Sequence, residues 1–377
     1  MVGMRDVAKQ AGVSVSTVSL VVNNAGYVSD DMRARVEAAM HQLNYIPNEL
    51  ARNLYRNRTN TIGIIVPTIL HPFFATLTAH MQRELAKRGL KTMLCSTADV
   101  ATGESEYVNM LQRHMMDGII MAAHTEHQPD YWTSIRRPIV AFDRILGTGI
   151  PAVHSDHEAG GHMIARQLID SGVRHAVLVG GPRSQFTQSM TFPTVRYHLT
   201  VEHMLAEAGI ACDYVEAGSV TDVVAHEATA AAFFERYPDV DAIIGSDVVA
   251  SVALQEAGRR GIAVPGDLQI IAYDGTLAAD LAGKKLTVVR QDFPAIAAAL
   301  AEQMDQQIEA FDTSKRERRG ESADSSVDSL VVADAAGAAN VTGAAGVEQD
   351  DAAEPANRSA EPGVVIPVTF IPGETTR

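Results

Sequence analysis

The sequence predicts an α/β protein in two parts: a small all-α head and a body of two doubly wound, parallel-sheet subdomains. Three observations predict it. Short helices with turn punctuation fill the first sixty residues. From Thr61 onward, near-continuous apolar runs alternate with amphipathic stretches, the mark of parallel strands covered on both faces. That alternation lasts roughly 230 residues, long for one doubly wound unit and suited to two linked ones.

The chain has 377 residues, 46% of them hydrophobic and 20% charged, enough apolar material to fold around true cores. It contains no run of eighteen apolar residues, so no membrane span is expected. The start, Met1-Val2-Gly3-Met4-Arg5-Asp6, turns polar at once and leads into no signal-like apolar region, which predicts a cytoplasmic protein. Cys95 and Cys212 are far apart, so neither a disulfide framework nor a cysteine-built zinc site is expected. The net charge is -15, but residues 1–60 carry seven Lys/Arg against five Asp/Glu. A mildly basic head on an acidic body fits a small DNA-binding unit attached to something that does not touch DNA.

In the head, Val7, Ala8 and Ala11 make one apolar face before the Gly12-Val13 turn. Ser14 caps a second helix of about two turns, stopped by Asn23-Asn24-Ala25-Gly26. Ser29 caps a third, with Asp30 and Asp31 at its positive end and Val36, Met40 and Leu43 on its apolar face. Helix, glycine turn, short helix and packing helix make a helix-turn-helix, whose second helix offers its first residues to base edges in a major groove. Those residues are Val15, Ser16 and Ser19, with Leu20 further along, while Ser14 and Thr17 are placed for phosphates or serve as helix caps. Beyond it, Pro47 and Asn48 open a helix too short to stand alone, with Leu50 and Leu54 at i,i+4. Either it folds against a symmetry mate in a minor groove, with Leu54 as a wedge, or its leucines pack as a linker.

The body strands are predicted at Thr61–Val66, Gly118–Met121, Ile139–Phe142, Ala176–Val179, Ala242–Ile244 and Leu268–Ile271, and a last strand-like run at Val364–Phe370. The segment 313–361 has no aromatic residue and bears eight acids and no base between Glu321 and Asn357, the composition of a disordered insertion.

Asp6-Val7-Ala8, Ala11-Gly12-Val13-Ser14, Thr17-Val18-Ser19, Val22-Asn23, Tyr27-Val28-Ser29 and Leu43-Asn44-Tyr45-Ile46-Pro47-Asn48 resemble the head of the lactose-repressor (LacI/GalR) family of bacterial transcription regulators. The resemblance continues through His71-Pro72-Phe73-Phe74, Asp117-Gly118-Ile119-Ile120, Phe142-Asp143-Arg144, Gly180-Gly181-Pro182, Tyr273-Asp274 and Arg290-Gln291-Asp292-Phe293, and covers all but the acidic insertion. It implies a helix-turn-helix head, a hinge helix, and a body like a periplasmic sugar-binding protein. It also implies a homodimer on a pseudo-palindromic double-stranded operator, with carbohydrate-metabolism genes repressed under control of a small-molecule effector, a carbohydrate, bound between the subdomains. The protein would then be cytoplasmic and nucleoid-associated. Carried over by position, the DNA-contacting residues are Ser14, Val15, Ser16, Thr17, Ser19, Leu20, Asn23, Asn48, Ala51, Arg52, Leu54 and Arg56. Leu20 departs from the Arg that many relatives hold there, and offers only apolar contact, as to a thymine methyl.

Parallel sheets bind ligands at the carboxyl ends of their strands. Thr68, His71, Phe73, Ala123, His124, Asp143, Ser246, Asp247 and Asp274 stand there. Carboxylates accept from vicinal hydroxyls and an aromatic face stacks on C–H groups, which suits Asp143, Asp274 and Phe73 to a sugar; the bland alternatives are strand-end caps and core packing. The effector set is His71, Phe73, His124, Asp143, Arg196, Tyr197, Ser246, Asp274 and Phe293. Tyr197 occupies the position of the family's effector-gripping Arg, with Arg196 one step before it, and Ser246 stands where Asn is common.

His154, His157 and His162 span a strand-to-helix turn without a cysteine cluster and read as scattered surface histidines; no metal and no cofactor is expected. A non-regulatory solute-binding protein would share the body but carry a signal peptide and no helix-turn-helix, and a sensor of a non-sugar, nucleoside-like effector is a further alternative. No P-loop, GxSxG or GxGxxG motif after the first strand argues for an enzyme. The expected organisation is a helix-turn-helix at 1–46, hinge at 47–60, first body subdomain at 61–157 plus 288–312, second at 158–287 plus 362–373, and insertion at 313–361.

Overall fold

The computed structural model describes residues 2–47, 53, 58–98, 103–123, 127–128, 130–188, 192–218, 232–318 and 363–377. The chain divides into two compact units, Met1–Thr59 and Asn60–Arg377.

Among the described residues the head carries α1 Met4–Ala11, α2 Val15–Asn23 and α3 Asp30–Gln42. Gly12 ends α1 at φ 65°, where its amide donates to the Ala8 carbonyl; a side chain is strained there. The Ser14 hydroxyl accepts from the Thr17 amide at 3.0 Å, and Asn24 closes α2 at φ 49°. Val7, Ala8, Ala11, Val18, Val21, Val28, Val36 and Ala39 form the small core. Arg35 on α3 donates to the Ala11 carbonyl at 2.6 Å and to that of Gly12 at 3.2 Å, so this base is spent on holding the turn.

The first body subdomain carries β1 Thr61–Val66, α4 Pro72–Lys87, β2 Lys91–Ser96, α5 Ser105–Gln112, β3 Gly118–Met121, α6 Tyr131–Ser134, β4 Ile139–Phe142 and β5 Ala152–Ser155. The second carries α7 His157–Asp170, β6 His175–Gly180, a 3-10 turn at Arg183–Gln188, α8 Val195–Glu207, β7 Ala211–Glu216, β8 Ala242–Ser246, α9 Asp247–Arg260, β9 Gln269–Asp274, α10 Leu277–Asp280 and β10 Thr287–Gln291. The chain then returns through α11 Phe293–Arg318 and the short strands β11 Val364–Ile366 and β12 Val368–Ile371.

Two six-stranded sheets result, ordered β11-β5-β4-β3-β1-β2 and β12-β10-β9-β8-β6-β7. All pairings are parallel except β10 with β12. Fully buried strands such as Ile62–Val66 and Gly118–Met121 read as unbroken apolar runs because helices cover both faces. α4 and α11 cover one face of the first sheet through Phe74, Leu77, Met81, Ile296, Leu300 and Met304. Trp132, Leu111 and Met116 fill the other. In the second sheet α9 and the Phe233-Phe234-Tyr237 cluster lie opposite α7 and α8.

The boundaries differ from the sequence expectation in three places. β10 begins at Thr287 and pairs with β9, so the return crossing falls at Asp292, whose carboxylate caps α11 by accepting from the Ala295 amide. Helix α11 continues through Thr313–Arg318, with Lys315, Arg316 and Arg318 in its last turn, where cations favour the helix dipole. The expected single run Val364–Phe370 is two strands parted by Pro367: β11 pairs with β5 of the first sheet and β12 with β10 of the second. Pro lacks the amide that would continue a ladder, so the chain changes sheets there. The rest of 319–362 lies outside the described residues.

The pair Gly160-Gly161 lets α7 approach its neighbours. A Cβ on Gly160 would lie 2.9 Å from the Tyr273 hydroxyl, and one on Gly161 2.8 Å from the Tyr197 carbonyl. Gly161→Ala therefore forces α7 and α8 apart, and chemical denaturation of the variant is expected to show a loss of ~1–3 kcal/mol.

Candidate functional site

The start of α2 is the head's candidate reading surface. Val15 is 43% exposed and Ser16 is also exposed, while Thr17, Ser19 and Leu20 are half-buried. The Ser14 and Thr17 hydroxyls lie 2.9 Å apart, so both belong to the cap as well as to the surface. Asn23 departs from a direct contact role: it is buried, and its amide donates to the Ser19 hydroxyl at 3.2 Å. Leu20 packs on the head core beside Gly26. Asn48, Ala51, Arg52, Leu54 and Arg56 lie outside the described residues; of the expected hinge only Pro47, Asn53 and residues 58–60 are described, Asn53 in helical conformation.

In the body, the carboxyl ends of both sheets enclose a cavity of about 520 Å³, within the range of small-molecule sites. Each sheet reverses its winding direction here, between β1 and β3 in one and between β6 and β8 in the other. The first subdomain supplies His71, Phe73, Phe74, Phe142 and Asp143; the second supplies Tyr197, His198, Tyr214, Ser246, Tyr273, Asp274 and Gln291, with Phe186 and Phe192 from the segment before α8.

Local backbone explains how the strand ends aim these groups. His71 caps α4, its Nδ1 accepting from the Phe73 amide at 3.3 Å, and Pro72 starts the helix with φ already set. Phe73 lies over Phe142 with ring centroids 5.9 Å apart. Asp143 and Asp274 terminate β4 and β9 at φ 48° and φ 127°, conformations that non-glycine residues adopt at a cost and that cluster at functional sites. Ser246 caps α9, its hydroxyl accepting from the Val249 amide.

Two buried polar chains run across this region. His157, fully buried at the start of α7, places Nε2 at 2.9 Å from Asp143 Oδ1 and Nδ1 at 2.7 Å from the Tyr273 hydroxyl. Nε2–H donating to the carboxylate and Nδ1 accepting from the phenol satisfies all three groups. Beside it, the Ser155 hydroxyl donates to Gln291 Oε1 at 2.6 Å, and Gln291 Nε2 donates to Asp274 Oδ1 at 2.9 Å. Burial raises the Asp274 carboxyl well above the carboxylate range, reinforced by the negative charges of Asp247 and Asp143 and opposed by the Gln291 hydrogen bond. Burial likewise holds the His198 imidazole down to about 3, so it stays neutral.

Of the residues nominated from sequence, His71, Phe73, Asp143, Tyr197, Ser246 and Asp274 line the cavity. Arg196 does not: the buried face of α8 carries Val195, Tyr197, His198 and Val201, and one residue's step of about 100° turns Arg196 away. Tyr197 instead stacks on Tyr273, centroids 4.1 Å apart and planes at 10°. Phe293 is also absent from the wall; it is core, packed behind Phe73 at 5.5 Å. Asp247 accepts from the Gly275 and Thr276 amides and the Thr276 hydroxyl, and so serves the β9–α10 turn. Thr68 and Ala123 are buried and do not line the cavity. His124 lies outside the described residues. Sequence reasoning missed Phe192, His198, Tyr214 and Gln291; Gln291 alone had a signal, the Arg290-Gln291-Asp292 end of an apolar strand.

His157 differs from its expected surface position, while His154 and His162 bond to the neighbouring carbonyls of Ser155 and Glu158. Among the described residues no group of three His, Cys, Asp or Glu could hold a metal ion, and no helix is long and apolar enough to cross a membrane.

Two outcomes follow from these chains. His157→Leu removes the buried partner of the Asp143 carboxyl and the Tyr273 hydroxyl, and denaturation should show a loss of ~2–5 kcal/mol. Asp274 holds its proton more tightly folded than unfolded. Its contribution to stability is complete below the ordinary carboxylate value and is lost as pH rises through its elevated folded value. Asp274→Asn keeps an acceptor for Gln291 and removes that titration, so from about pH 4 upward the variant's Tm should fall less steeply than the parent's.

Comparison with known proteins agrees with this geometry. Residues 3–48 match the model described as "Bacterial regulatory proteins, lacI family", and residues 59–325 the one described as "Periplasmic binding proteins and sugar binding domain of LacI family". The sucrose operon repressor of Streptococcus mutans serotype c is 33% identical over 312 residues, covering 83% of this chain and 94% of that protein. The ribose operon repressor of Bacillus subtilis is 34% identical over 294 residues, covering 77% and 87%. Among solved structures, the lac repressor dimer bound to operator and the anti-inducer ONPF superposes with TM-score 0.70 at 19% identity, covering 100% of this chain and 99% of that one. The regulator CelR in complex with cellobiose gives TM-score 0.59 at 21% identity, with both chains fully covered. The chain thus belongs to the lacI family of bacterial regulatory proteins, a family of transcriptional regulators and not of enzymes.

Proposed function

We propose that this protein is a repressor of carbohydrate-metabolism genes, acting in the cytoplasm at the nucleoid as a homodimer on a pseudo-palindromic operator, with its DNA affinity set by a sugar bound in the body. The observation that carries the reading is the cavity walled by both subdomains, with Phe73, Phe142 and Asp143 from one and Tyr197, Tyr273 and Asp274 from the other. A ligand that touches both walls stabilises one relative arrangement of the two, and differential binding to two arrangements is what coupling requires. The sucrose and ribose operon repressors among its relatives support the sugar, and the lac repressor dimer on its operator supports the assembly.

In the head, Val15 and Ser16 meet base edges, Ser14 and Thr17 meet phosphates, and Leu20 gives an apolar edge contact. Asn48, Ala51, Arg52, Leu54 and Arg56 form the hinge contacts, with Leu54 as the minor-groove wedge. In the body, Asp143 and Asp274 accept from sugar hydroxyls, and Phe73 and Tyr197 stack against C–H faces.

The test is to select genomic fragments bound by the full chain and titrate sugars into the complex at fixed salt. A sugar that changes operator affinity at least tenfold while leaving random DNA unaffected supports the reading; equal affinity for selected and random duplexes ends it. In the same assay Ser16→Ala should cost ~1–3 kcal/mol on the operator and nothing on random DNA. Leu54→Ala should lose operator preference yet keep its sugar affinity, as read by calorimetry.

A further inference from the structure

The cavity's charge is one-sided. Among the described residues its wall holds two carboxyl groups, Asp143 and Asp274, and no Lys or Arg. Of its histidines, His71 accepts the Phe73 amide on Nδ1, and His198 is kept neutral by burial. The nearby guanidinium groups are committed elsewhere. Arg144 donates to the Ala123 carbonyl at 2.6 Å and lies over the Phe192 ring at 5.0 Å. Arg183 is held by both carboxylate oxygens of Glu202, at 2.6 and 3.1 Å, and lies over Phe186 and Tyr214. Arg290 faces Asp280.

We propose that the effector is an uncharged, polyhydroxylated ligand and that the cavity excludes the phosphate ester of the same sugar. The proposal rests on the sugar-sensing reading above and narrows it. A phosphate dianion entering this space would exchange water for aromatic rings and two carboxyl groups, with no cation to replace its hydration. A neutral sugar meets acceptors for its hydroxyls and rings for its C–H faces at no such cost. The supplying process must therefore deliver the sugar unphosphorylated, and phosphorylation is a reaction that silences it as a signal.

Calorimetry on the full chain with matched pairs tests this: glucose, fructose, ribose and sucrose, each against its own monophosphate ester. The expected result is that at least one neutral sugar binds and its ester binds at least 100-fold more weakly. An ester that binds as tightly as its parent, or more tightly, overturns the proposal and leaves sugar sensing intact. If no member of any pair binds, the sugar-sensing reading itself fails and this inference with it. Gln185→Arg places a cation on the cavity wall. It should narrow the gap between parent and ester at least tenfold, while an unchanged far-UV circular dichroism spectrum and Tm report that the fold is kept; an unchanged gap in a folded variant would show that charge is not the discriminator and would overturn the proposal.

Discussion

The bond between His157 and its two partners holds the functional end of the body together. Asp143 ends a strand of the first sheet, Tyr273 belongs to a strand of the second, and His157 sits where the chain passes from one to the other. Three crossings, at Asp156, Asp292 and Pro367, connect the subdomains, and the Ser155–Gln291–Asp274 chain lies beside them. Buried polar groups in a dry site are costly when left without partners, so these two chains favour the arrangement that satisfies them. On the proposed reading, a ligand that supplied replacement partners would favour a second arrangement, and two discrete states in place of a continuous flexing are what a sensor needs.

The same residues line the cavity and brace the subdomains. Asp143 lines the cavity and accepts from His157; Asp274 lines it and accepts from Gln291. Tyr273 carries the hydroxyl that His157 holds and the ring on which Tyr197 stacks. On the proposed reading, ligand contact and subdomain contact compete for the same lone pairs, and that competition is the physical content of coupling. Gly160 and Gly161 support this arrangement, because Gly160 leaves room for the Tyr273 hydroxyl and Gly161 lets α7 lie close against α8.

Much of this was legible in the sequence. Strands β1, β3 and β4 stand out as apolar runs bounded by turns, since burial on both faces removes any alternation. The helix caps Ser14 and Ser29 are visible because their hydroxyls are short and correctly placed. What escaped depended on long-range packing. The run Val364–Phe370 carries the composition of one strand, and only pairing partners reveal that Pro367 divides it between sheets. Arg196 and Tyr197 differ by one position, and which of them faces the cavity depends on how α8 is rotated against α7. Phe73 and Phe293 are equally aromatic and equally close to strand ends, yet one lines the wall and the other supports it from behind. His157 gave no local sign of burial, because its partners lie 14 and 116 residues away.

The head's distribution of bases bears on why pairing matters. Helix α2 carries no Lys or Arg, and Arg35 is fastened to the carbonyls of the α1–α2 turn. Arg5 and Lys9 are the exposed bases on α1. Phosphate neutralisation supplies most of the sequence-independent affinity of DNA-binding proteins, so a single head of this composition holds DNA weakly. On the proposed reading α2 offers base edges a valine, hydroxyls and a half-buried leucine, a surface that discriminates without gripping. Three further bases, Arg52, Arg56 and Arg58, fall in the sequence between head and body. On that reading the larger share of the binding energy comes from this segment and from two heads acting together, leaving the reading residues to discriminate.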